Sequence, residues 1–266
     1  MDLNLSGKHV LITGGSKGIG LACAHVFLQE GARLSLVSRS QATLSEASRA
    51  LHAAWPHATG QIATFAADLK DADAALAALD AAQAAAGAVD ILVNCAGAAL
   101  MTAPDDLQAQ SWHDAMDAKY FTYIHMMSPL VKRMGQRGQG VIVNVIGAGG
   151  KVAGISHMAG GAANAALMLV TAGMAAAYGP KGVRVNAVNP GLTLTERLKV
   201  SIAAGAKLAH ISEEEALKRA NERLPLGRVA RPDEIANAVA FLASDKASYV
   251  TGAILSMDGA VTPMVV

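Results

Sequence analysis

The feature that most constrains the fold is a glycine-rich turn directly after a short apolar run. The run is His9-Val10-Leu11-Ile12, and the turn is Thr13-Gly14-Gly15-Ser16-Lys17-Gly18-Ile19-Gly20. A helical apolar pattern follows from Leu21 to Leu28, so the stretch predicts a strand, a turn and a helix in succession. Glycine permits a tight turn and the close approach of a ligand to the backbone. Because the start of a helix attracts phosphate groups, we predict a dinucleotide site here, with a purely structural turn as the alternative.

Further apolar runs alternate with helical patterns along the rest of the chain. The predicted strands cover 33–37, 61–66, 89–94, 141–146, 183–188 and 253–257, and the predicted helices cover 41–53, 71–86, 104–134 and 158–178. Strands that alternate with helices predict right-handed crossovers and a parallel sheet covered on both faces. We therefore expect a single doubly wound Rossmann-type α/β domain over residues 1–266, with about seven strands and a ligand site at their carboxyl ends.

The composition excludes several classes of protein. The formal net charge is +1, whereas nucleic acids and anionic membranes favour a basic patch, so neither is an expected partner. Cys23 and Cys95 are too few for a disulfide framework, and no His/Cys cluster has zinc spacing, so no metal site is predicted. Residues 1–8 do not resemble a signal peptide, and no apolar segment reaches about 18 residues without glycine or charge. These features favour a cytoplasmic protein.

The spacing Thr13-Gly14-x-x-x-Gly18-x-Gly20 resembles the glycine motif of the short-chain dehydrogenase/reductase family. Further motifs follow in the order that the family shows: Asp68-Leu69, Asn94-Cys95-Ala96-Gly97, Arg184-Val185-Asn186-Ala187-Val188-Asn189-Pro190-Gly191 and Asp258-Gly259. The resemblance continues to the C-terminus and implies a nicotinamide dinucleotide cofactor with a small-molecule carbonyl or alcohol substrate. It also implies a homodimer or homotetramer, and a lid over the substrate at 192–224. The Ala, Leu and Ile content of this lid predicts a mostly apolar pocket wall and so a largely apolar substrate, with plain packing as the alternative.

The end of the second predicted strand indicates which nicotinamide cofactor is bound. Enzymes that prefer NAD usually place a carboxylate there, whereas this chain has Ser38 and Arg39, with Lys17 nearby in the glycine loop. A serine and two cations favour the additional phosphate of NADP(H), although Arg39 could instead be a solvated surface residue. The resemblance implies further cofactor contacts at Gly14, Ser16, Gly18, Ile19, Gly20, Asp68, Leu69, Asn94, Ala96, Gly97, Pro190, Gly191, Thr193 and Thr195. Asp68 would bond the adenine amine, or alternatively cap the following helix.

The active-site positions depart from the family pattern. Members carry Asn, Ser, Tyr and Lys, the last two as Tyr-x-x-x-Lys, and the tyrosine handles the proton. Aligned through their neighbours, these positions hold Lys119, Gly147, Gly160 and Asn164. Gly147 and Gly160 keep the family's gap of 13 residues between Ser and Tyr, which supports the alignment. Because glycine has no side-chain proton to donate, the usual mechanism cannot operate here.

Three hypotheses about the function follow. In the first, the proton donor has moved to His157, which would share a helix face with Gly160, while Lys119 supplies positive charge and Ser156 a hydroxyl. Replacing His157 by alanine would then abolish carbonyl reduction. In the second, the protein binds NADP(H) without redox chemistry, as a sensor or a partner subunit. In the third, the pocket supports a lyase or isomerase reaction. The alternative for His157 is a helix-start or surface histidine, and the alternative for Lys119 is an interface or solvent cation.

Overall fold

The structure is a computed structural model that describes residues 2–56, 62–97 and 100–263. Within these ranges the strands are β1 His9–Thr13, β2 Arg33–Ser38, β3 Ile62–Ala66, β4 Ile91–Asn94, β5 Gly140–Val145, β6 Val183–Pro190 and β7 Ile254–Met257. They form a seven-stranded sheet in the order β3-β2-β1-β4-β5-β6-β7, and all neighbouring strands are parallel. The predicted doubly wound Rossmann-type α/β fold is confirmed. Gln61, the first residue of the predicted third strand, lies outside the described residues.

Helices cover both faces of the sheet. They are α1 Gly18–Gln29, α2 Gln41–Ala54, α3 Ala72–Ala86, α4 Ala109–Ala115, α5 Thr122–Arg137, α6 Met158–Tyr178, α7 Glu196–Ala209, α8 Glu213–Glu222 and α9 Pro232–Ala243. One buried core lies beneath α1, α2 and α9, and a second lies beneath α3 and α5 together with the C-terminal part of α6. Within β1, Val10 and Ile12 belong to the first core and Leu11 to the second, as the alternation of side chains along a strand requires. Burial on both faces explains the continuous apolar runs in the sequence.

A buried polar network fixes the carboxyl ends of the central strands. Asn94 Nδ2 donates to Asn144 Oδ1 (2.9 Å), and Asn144 Nδ2 donates to Thr171 Oγ1 on α6 (3.0 Å). Thr13 Oγ1 donates to Asn94 Oδ1 (3.3 Å) and accepts from two backbone N–H groups of the loop after β4. Because these buried groups satisfy one another, β1, β4, β5 and α6 meet in one fixed geometry at this edge of the sheet.

The long helix predicted over 104–134 is interrupted in the structure. A 3-10 turn, Pro104–Asp106, precedes α4, and a π-helical turn, Met116–Phe121, separates α4 from α5. A π-helical turn places an additional residue in one turn and so changes which side chains face the sheet. Apolar periodicity does not reveal such a turn.

The segment 192–224, predicted to be a lid, contains two helices, α7 and α8. Ser212 is the N-cap residue of α8, and its hydroxyl accepts from the Glu215 N–H (3.1 Å). The Glu215 carboxylate accepts from Arg219 Nε one turn later (2.8 Å).

The helical stretch Ile155–Lys181 is long and apolar enough to span a bilayer by length and composition alone. It contains α6, the predicted helix of small side chains. α6 packs against β6 and against the π-helical turn. Such packing inside the domain requires the same small, apolar residues, so its composition needs no membrane to explain it.

Candidate active site

The glycine loop forms a cradle that excludes larger residues. Gly14 has φ +66°, and a Cβ there would lie 2.9 Å from the backbone nitrogen of Ala96. A Cβ on Gly20 would collide with the carbonyl oxygen of Gly14. α1 begins at Gly18, and no described side chain caps its first N–H groups, since Lys17 stands at the N-cap position. Free N–H groups beside glycines, which have no side chains, fit the pyrophosphate of a dinucleotide. Ile19 lies in the same first turn of α1.

The cradle and the end of β2 carry polar side chains that suit an additional phosphate. Ser16 Oγ donates to Ser38 Oγ (3.2 Å) and so joins the loop to β2. Lys17 and Arg39 are exposed, and neither forms a hydrogen bond or ion pair with a described side chain. Two free cations beside a pair of hydroxyl groups fit the phosphate that distinguishes NADP(H) from NAD(H).

Asp68 and Leu69 follow β3 at the same edge of the sheet. The Asp68 carboxylate is exposed and accepts a hydrogen bond from the Lys70 N–H (3.1 Å). The alternative role for Asp68, as the N-cap of the next helix, is wrong because Asp71 caps α3. Leu69 is buried, and its carbonyl oxygen accepts from His125 Nδ1 (2.9 Å). The exposed Asp68 carboxylate keeps acceptor capacity for an adenine amine.

The residues after β4 are fixed against the π-helical turn. The Asn94 side chain is fully buried and bonded to Thr13 and Asn144, so it positions the strand end, and its cofactor contact stays a prediction. Gly97 has φ +91°, and a Cβ there would collide with the carbonyl oxygen of Ala118. This close approach brings the cofactor loop and the π-helical turn together.

The segment after β6 places the base of the lid over the glycine loop. Pro190 ends β6, and Thr193 Oγ1 donates to the carbonyl oxygen of Gly191 (3.2 Å). Thr195 is the N-cap residue of α7, and its Cγ2 lies 3.3 Å from the position of a Cβ on Gly18. Of the predicted cofactor residues in this segment, Thr195 therefore lies beside the loop that opens α1.

The positions aligned with the family's Ser and Lys face each other. A Cβ on Gly147 would lie 3.3 Å from Asn164 Nδ2, and Asn164 is buried on α6. The Oδ1 atom of Asn164 is buried and has no hydrogen-bond partner. Gly160, at the Tyr position, is also buried on α6. A buried amide oxygen without a partner is costly, and a bound ligand with an N–H or O–H group would satisfy it.

Lys119 occupies the interior of this site. It lies in the π-helical turn with only 7% of its surface exposed, so its alternative as a solvent cation is wrong. Its Nζ donates to the Tyr123 hydroxyl (2.7 Å) and to the Val145 carbonyl oxygen (3.1 Å). Burial lowers the pKa of Lys119 to about 8; nearby Cys95 opposes that change and Arg197 adds to it. A lysine whose pKa is close to neutral can hold and release a proton under physiological conditions.

Tyr123 contacts Lys119 but is not an equivalent of the family's tyrosine. Tyr123 lies one helical turn after Lys119, on α5 rather than α6, and is fully buried. Its hydroxyl donates to the Val145 carbonyl oxygen (2.6 Å), and burial raises its pKa well above the usual range. Tyr123 therefore holds Lys119 in place and keeps its own proton. The spacing Lys119-x-x-x-Tyr123 was the signal in the sequence that could have identified this pair.

His157 lies at the start of α6 rather than within it. The helix begins at Met158 and His157 is its N-cap residue, so the predicted shared helix face with Gly160 does not exist. Its Nδ1 is buried without a hydrogen-bond partner, and burial, Arg197 and Lys119 together lower its pKa. Ser156 is half-buried, and its carbonyl oxygen accepts from the Thr102 N–H (2.8 Å).

Two residues that the sequence analysis did not assign to catalysis act electrostatically on this site. The positive charge of Arg197, in the first turn of α7, acts to lower the pKa values of Lys119, Tyr123 and His157. Cys95, directly after β4, influences the pKa of Lys119. Neither could be placed from sequence, because their elements meet only through the sheet topology.

A separate apolar cavity of about 160 Å³ lies at the root of the lid. Its walls include Leu192, Leu224, Leu226, Ile235 and Met257. Lys119, His157 and Arg197 do not line it, so it is not the site of proton transfer. Leu192 and Leu224 of the segment 192–224 line this cavity, while an apolar wall against the substrate stays a prediction.

The chain is similar in sequence to known proteins. A family profile described as Enoyl-(Acyl carrier protein) reductase matches residues 14–262. D-threitol dehydrogenase of Mycolicibacterium smegmatis is 37% identical over 261 residues, which cover 98% of this chain and 95% of the relative.

Solved structures give a similar result. The L-sorbose reductase of Gluconobacter frateurii, complexed with NADPH and L-sorbose, superposes with a TM-score of 0.93 at 29% identity, covering 100% of both chains. An NADPH-bound short chain oxidoreductase of Pseudomonas aeruginosa, described as containing an atypical catalytic center, has a TM-score of 0.87 at 28% identity. That match covers 97% of this chain and 98% of the other.

Proposed function

Because the chain belongs to the short-chain dehydrogenase/reductase family, we propose that it is an oxidoreductase with a relocated proton donor. Its cofactor is NADP(H), and it interconverts a carbonyl compound and an alcohol. The observation that carries the proposal is Lys119, a buried ammonium group with a pKa near 8, at the active-site position where the family has an amide.

Lys119 suits the role of proton donor better than His157 does. Its pKa of about 8 keeps Nζ protonated at pH 7, so it can give a proton to the oxygen of a substrate carbonyl. The pKa of His157 is lowered, which leaves a neutral imidazole at pH 7. A neutral imidazole is a poor acid, so we assign the donor role to Lys119 and a hydrogen-bonding role to His157 Nδ1.

The remaining residues would hold the cofactor and the substrate. NADP(H), when bound, supplies or accepts the hydride. The glycine cradle and the start of α1 would hold its pyrophosphate, and Ser38 and Arg39 its additional phosphate. The Asn164 amide and the Ser156 hydroxyl would bond the substrate, replacing the groups that Gly147 and Gly160 lack. This proposal agrees with the Pseudomonas neighbour, which combines NADPH with an atypical catalytic center.

We expect Arg39→Ala to weaken NADPH binding about 10- to 100-fold, because a charge-assisted contact to phosphate is lost. NADH, which lacks that phosphate, should bind the variant and the wild type equally. Fluorescence titration of the reduced nicotinamide measures both affinities. Arg49→Ala is a matched control, since Arg49 is exposed on α2 and has no predicted role. An equal loss of NADH affinity would contradict the assignment of Arg39.

The test of the proposed function is an NADPH titration, followed by absorbance at the reduced-nicotinamide band with a panel of carbonyl compounds. We expect saturable binding and loss of the band with at least one compound. Binding without any oxidation across the panel would favour the redox-silent hypothesis, and no binding would favour the lyase or isomerase hypothesis. Either result would overturn the proposal.

We also propose a homodimer or homotetramer. Leu169 on α6 is 76% exposed, and Phe241 on α9 and Leu255 on β7 are exposed as well. Apolar side chains of this size are expected to be covered in an assembly. Residues 264–266 of the apolar stretch 259–266 lie outside the described residues. Light scattering coupled to size-exclusion chromatography measures the oligomeric state.

A further inference from the structure

Two buried polar atoms without hydrogen-bond partners lie against the loop that follows β5. Among the described residues, three buried side-chain nitrogen or oxygen atoms have no partner, and two of them are His157 Nδ1 and Asn164 Oδ1. A Cβ on Gly147 would lie 3.3 Å from Asn164 Nδ2, and a Cβ on Gly149 would lie 3.3 Å from His157 Cδ2. Buried polar atoms are normally paired in a folded protein, so two exceptions beside one loop require an explanation.

Asn164 has the more definite requirement of the two residues, because a histidine ring nitrogen can either donate or accept. Only 4% of the surface of Asn164 is exposed, and Gly147 beside it has no side chain that could bond the amide. An amide oxygen only accepts hydrogen bonds, so its missing partner must carry an N–H or O–H group. The carbonyl oxygen of a ketone also only accepts and cannot be that partner. A ligand that satisfies Asn164 therefore needs a second polar group.

Lys119 contacts the same stretch of backbone as Asn164. The Lys119 Nζ donates to the Val145 carbonyl oxygen (3.1 Å), and Gly147 follows Val145 by two residues. Because two residues of chain span at most about 7 Å, a short molecule can reach both side chains. Side chains from both sides of the site also share one buried cluster, which includes Tyr123, Ile146 and Leu167.

The hydrogen bonds of Lys119 leave one donor for the substrate. An ammonium group has three N–H donors, and two of them are bonded to the Tyr123 hydroxyl (2.7 Å) and the Val145 carbonyl oxygen. The third can donate to a substrate carbonyl, whereas Asn164 Oδ1 requires a donor from the substrate. The charge of Lys119 disfavours a second ammonium group nearby, since like charges repel. A neutral hydroxyl group is therefore the donor that fits Asn164.

We propose that the substrate is a hydroxy ketone, or the corresponding diol in the reverse direction. Its carbonyl oxygen accepts from Lys119 Nζ, and a separate hydroxyl group, within a few carbon atoms, donates to Asn164 Oδ1. This inference rests on the proposed function and names its substrate class. It adds a polar group to the expectation of a largely apolar substrate.

The test measures binding rather than turnover. The protein is saturated with NADP⁺, which cannot reduce a carbonyl, and titrated calorimetrically with 1-hydroxypropan-2-one, 4-hydroxybutan-2-one and 3-hydroxy-3-methylbutan-2-one. Each is compared with the ketone in which a methyl group replaces the hydroxyl group, namely butan-2-one, pentan-2-one and 3,3-dimethylbutan-2-one. We expect at least one hydroxy ketone to bind about 5- to 100-fold more tightly than its methyl counterpart, because it satisfies a buried acceptor.

Three variants assign that preference to one side chain. Asn164→Leu removes the acceptor and should reduce the ratio of the two affinities below about threefold. This variant should fold, because an apolar side chain of similar size replaces an amide whose oxygen is unpaired. Asn164→Asp keeps an acceptor and should keep part of the ratio. Gln110→Leu removes an amide from the exposed surface of α4 and should keep the full ratio.

The outcomes separate this inference from the proposed function. If no hydroxy ketone exceeds its methyl counterpart by about threefold, the substrate class is wrong, even when simple ketones are reduced. The inference also fails if the ratio persists in Asn164→Leu; a simultaneous loss of NADP⁺ affinity would then show that Asn164 binds the cofactor. If hydroxy ketones bind through Asn164 but the NADPH complex never oxidises, the inference stands and the proposed function fails.

Discussion

Lys119→Met is expected to lower the rate of carbonyl reduction about 100- to 10,000-fold, the usual contribution of a positioned proton donor. Methionine has a similar length and fills the same space without a charge. NADPH affinity should change little, because no predicted cofactor contact involves Lys119. Rapid-mixing absorbance at the reduced-nicotinamide band measures the rate, and fluorescence titration measures the affinity.

The same substitution should increase the free energy of unfolding. The pKa of Lys119 falls from 10.5 to about 8 on folding, so the unfolded chain binds more protons between these values and the wild type becomes more stable as the pH rises through them. Below pH 8 the folded protein bears the cost of a buried ammonium ion. Removing that ion should stabilise the protein by about 1–3 kcal/mol at pH 7. Urea denaturation measures the change.

Loss of activity together with a gain in stability distinguishes a proton donor from a structural residue. If Lys119 only held Tyr123 and β5 in place, its removal would destabilise the fold. Lys132→Met is the matched control, because Lys132 is exposed on the adjoining helix α5. That control should leave the rate unchanged, and it should change the free energy of unfolding by no more than about 0.5 kcal/mol. A stable Lys119→Met variant with wild-type turnover would contradict the proton-donor assignment.

Gly14→Ala is expected to weaken NADPH binding about 100-fold. The new Cβ would lie 2.9 Å from the backbone nitrogen of Ala96, and backbone atoms cannot move aside as a flexible side chain can. The loop must shift, and the loss of two charge-assisted N–H contacts to phosphate accounts for a change of this size. Fluorescence titration with NADPH measures it.

Gly138→Ala provides a control for a glycine with a positive φ. Gly138 is left-handed, with φ +79° and ψ 12°, and no atom lies within 4 Å of its Cβ position. The left-handed conformation costs a residue with a side chain about 1–2 kcal/mol, and Gly138→Ala should lose that stability while NADPH affinity is unchanged. If both variants bound NADPH as the wild type does, the cradle would not hold the pyrophosphate.

The fold could be predicted almost completely from the sequence, because both faces of the sheet are buried. Each strand is therefore a short apolar run, and the alternation with helices fixes a parallel topology. The glycine loop was equally informative, since only glycine permits its conformation at Gly14 and its packing at Gly20. The replaced tetrad positions stay a prediction; in the structure, a Cβ on Gly147 would lie 3.3 Å from Asn164 Nδ2.

The chemistry of the site was less predictable, because it depends on long-range packing. The burial of Lys119 follows from the π-helical turn and from the contact with β5. No local sequence pattern predicts either feature. The sequence therefore leaves its solvent exposure open and favours His157 as the donor. Arg197 lies in α7, a helix that the sequence analysis did not predict, so no role was assigned to it.

The most direct test of the account is the pH dependence of reduction by the NADPH complex, measured in single turnovers with the best carbonyl compound of the panel. Because protonated Lys119 is the donor, the rate should be constant at low pH and fall as the pH rises through about 8. Lys119→Arg, which stays protonated, should show a low rate without that inflection. An inflection near pH 8 that persists in Lys119→Arg, or a wild-type rate that does not change across this range, would contradict the account.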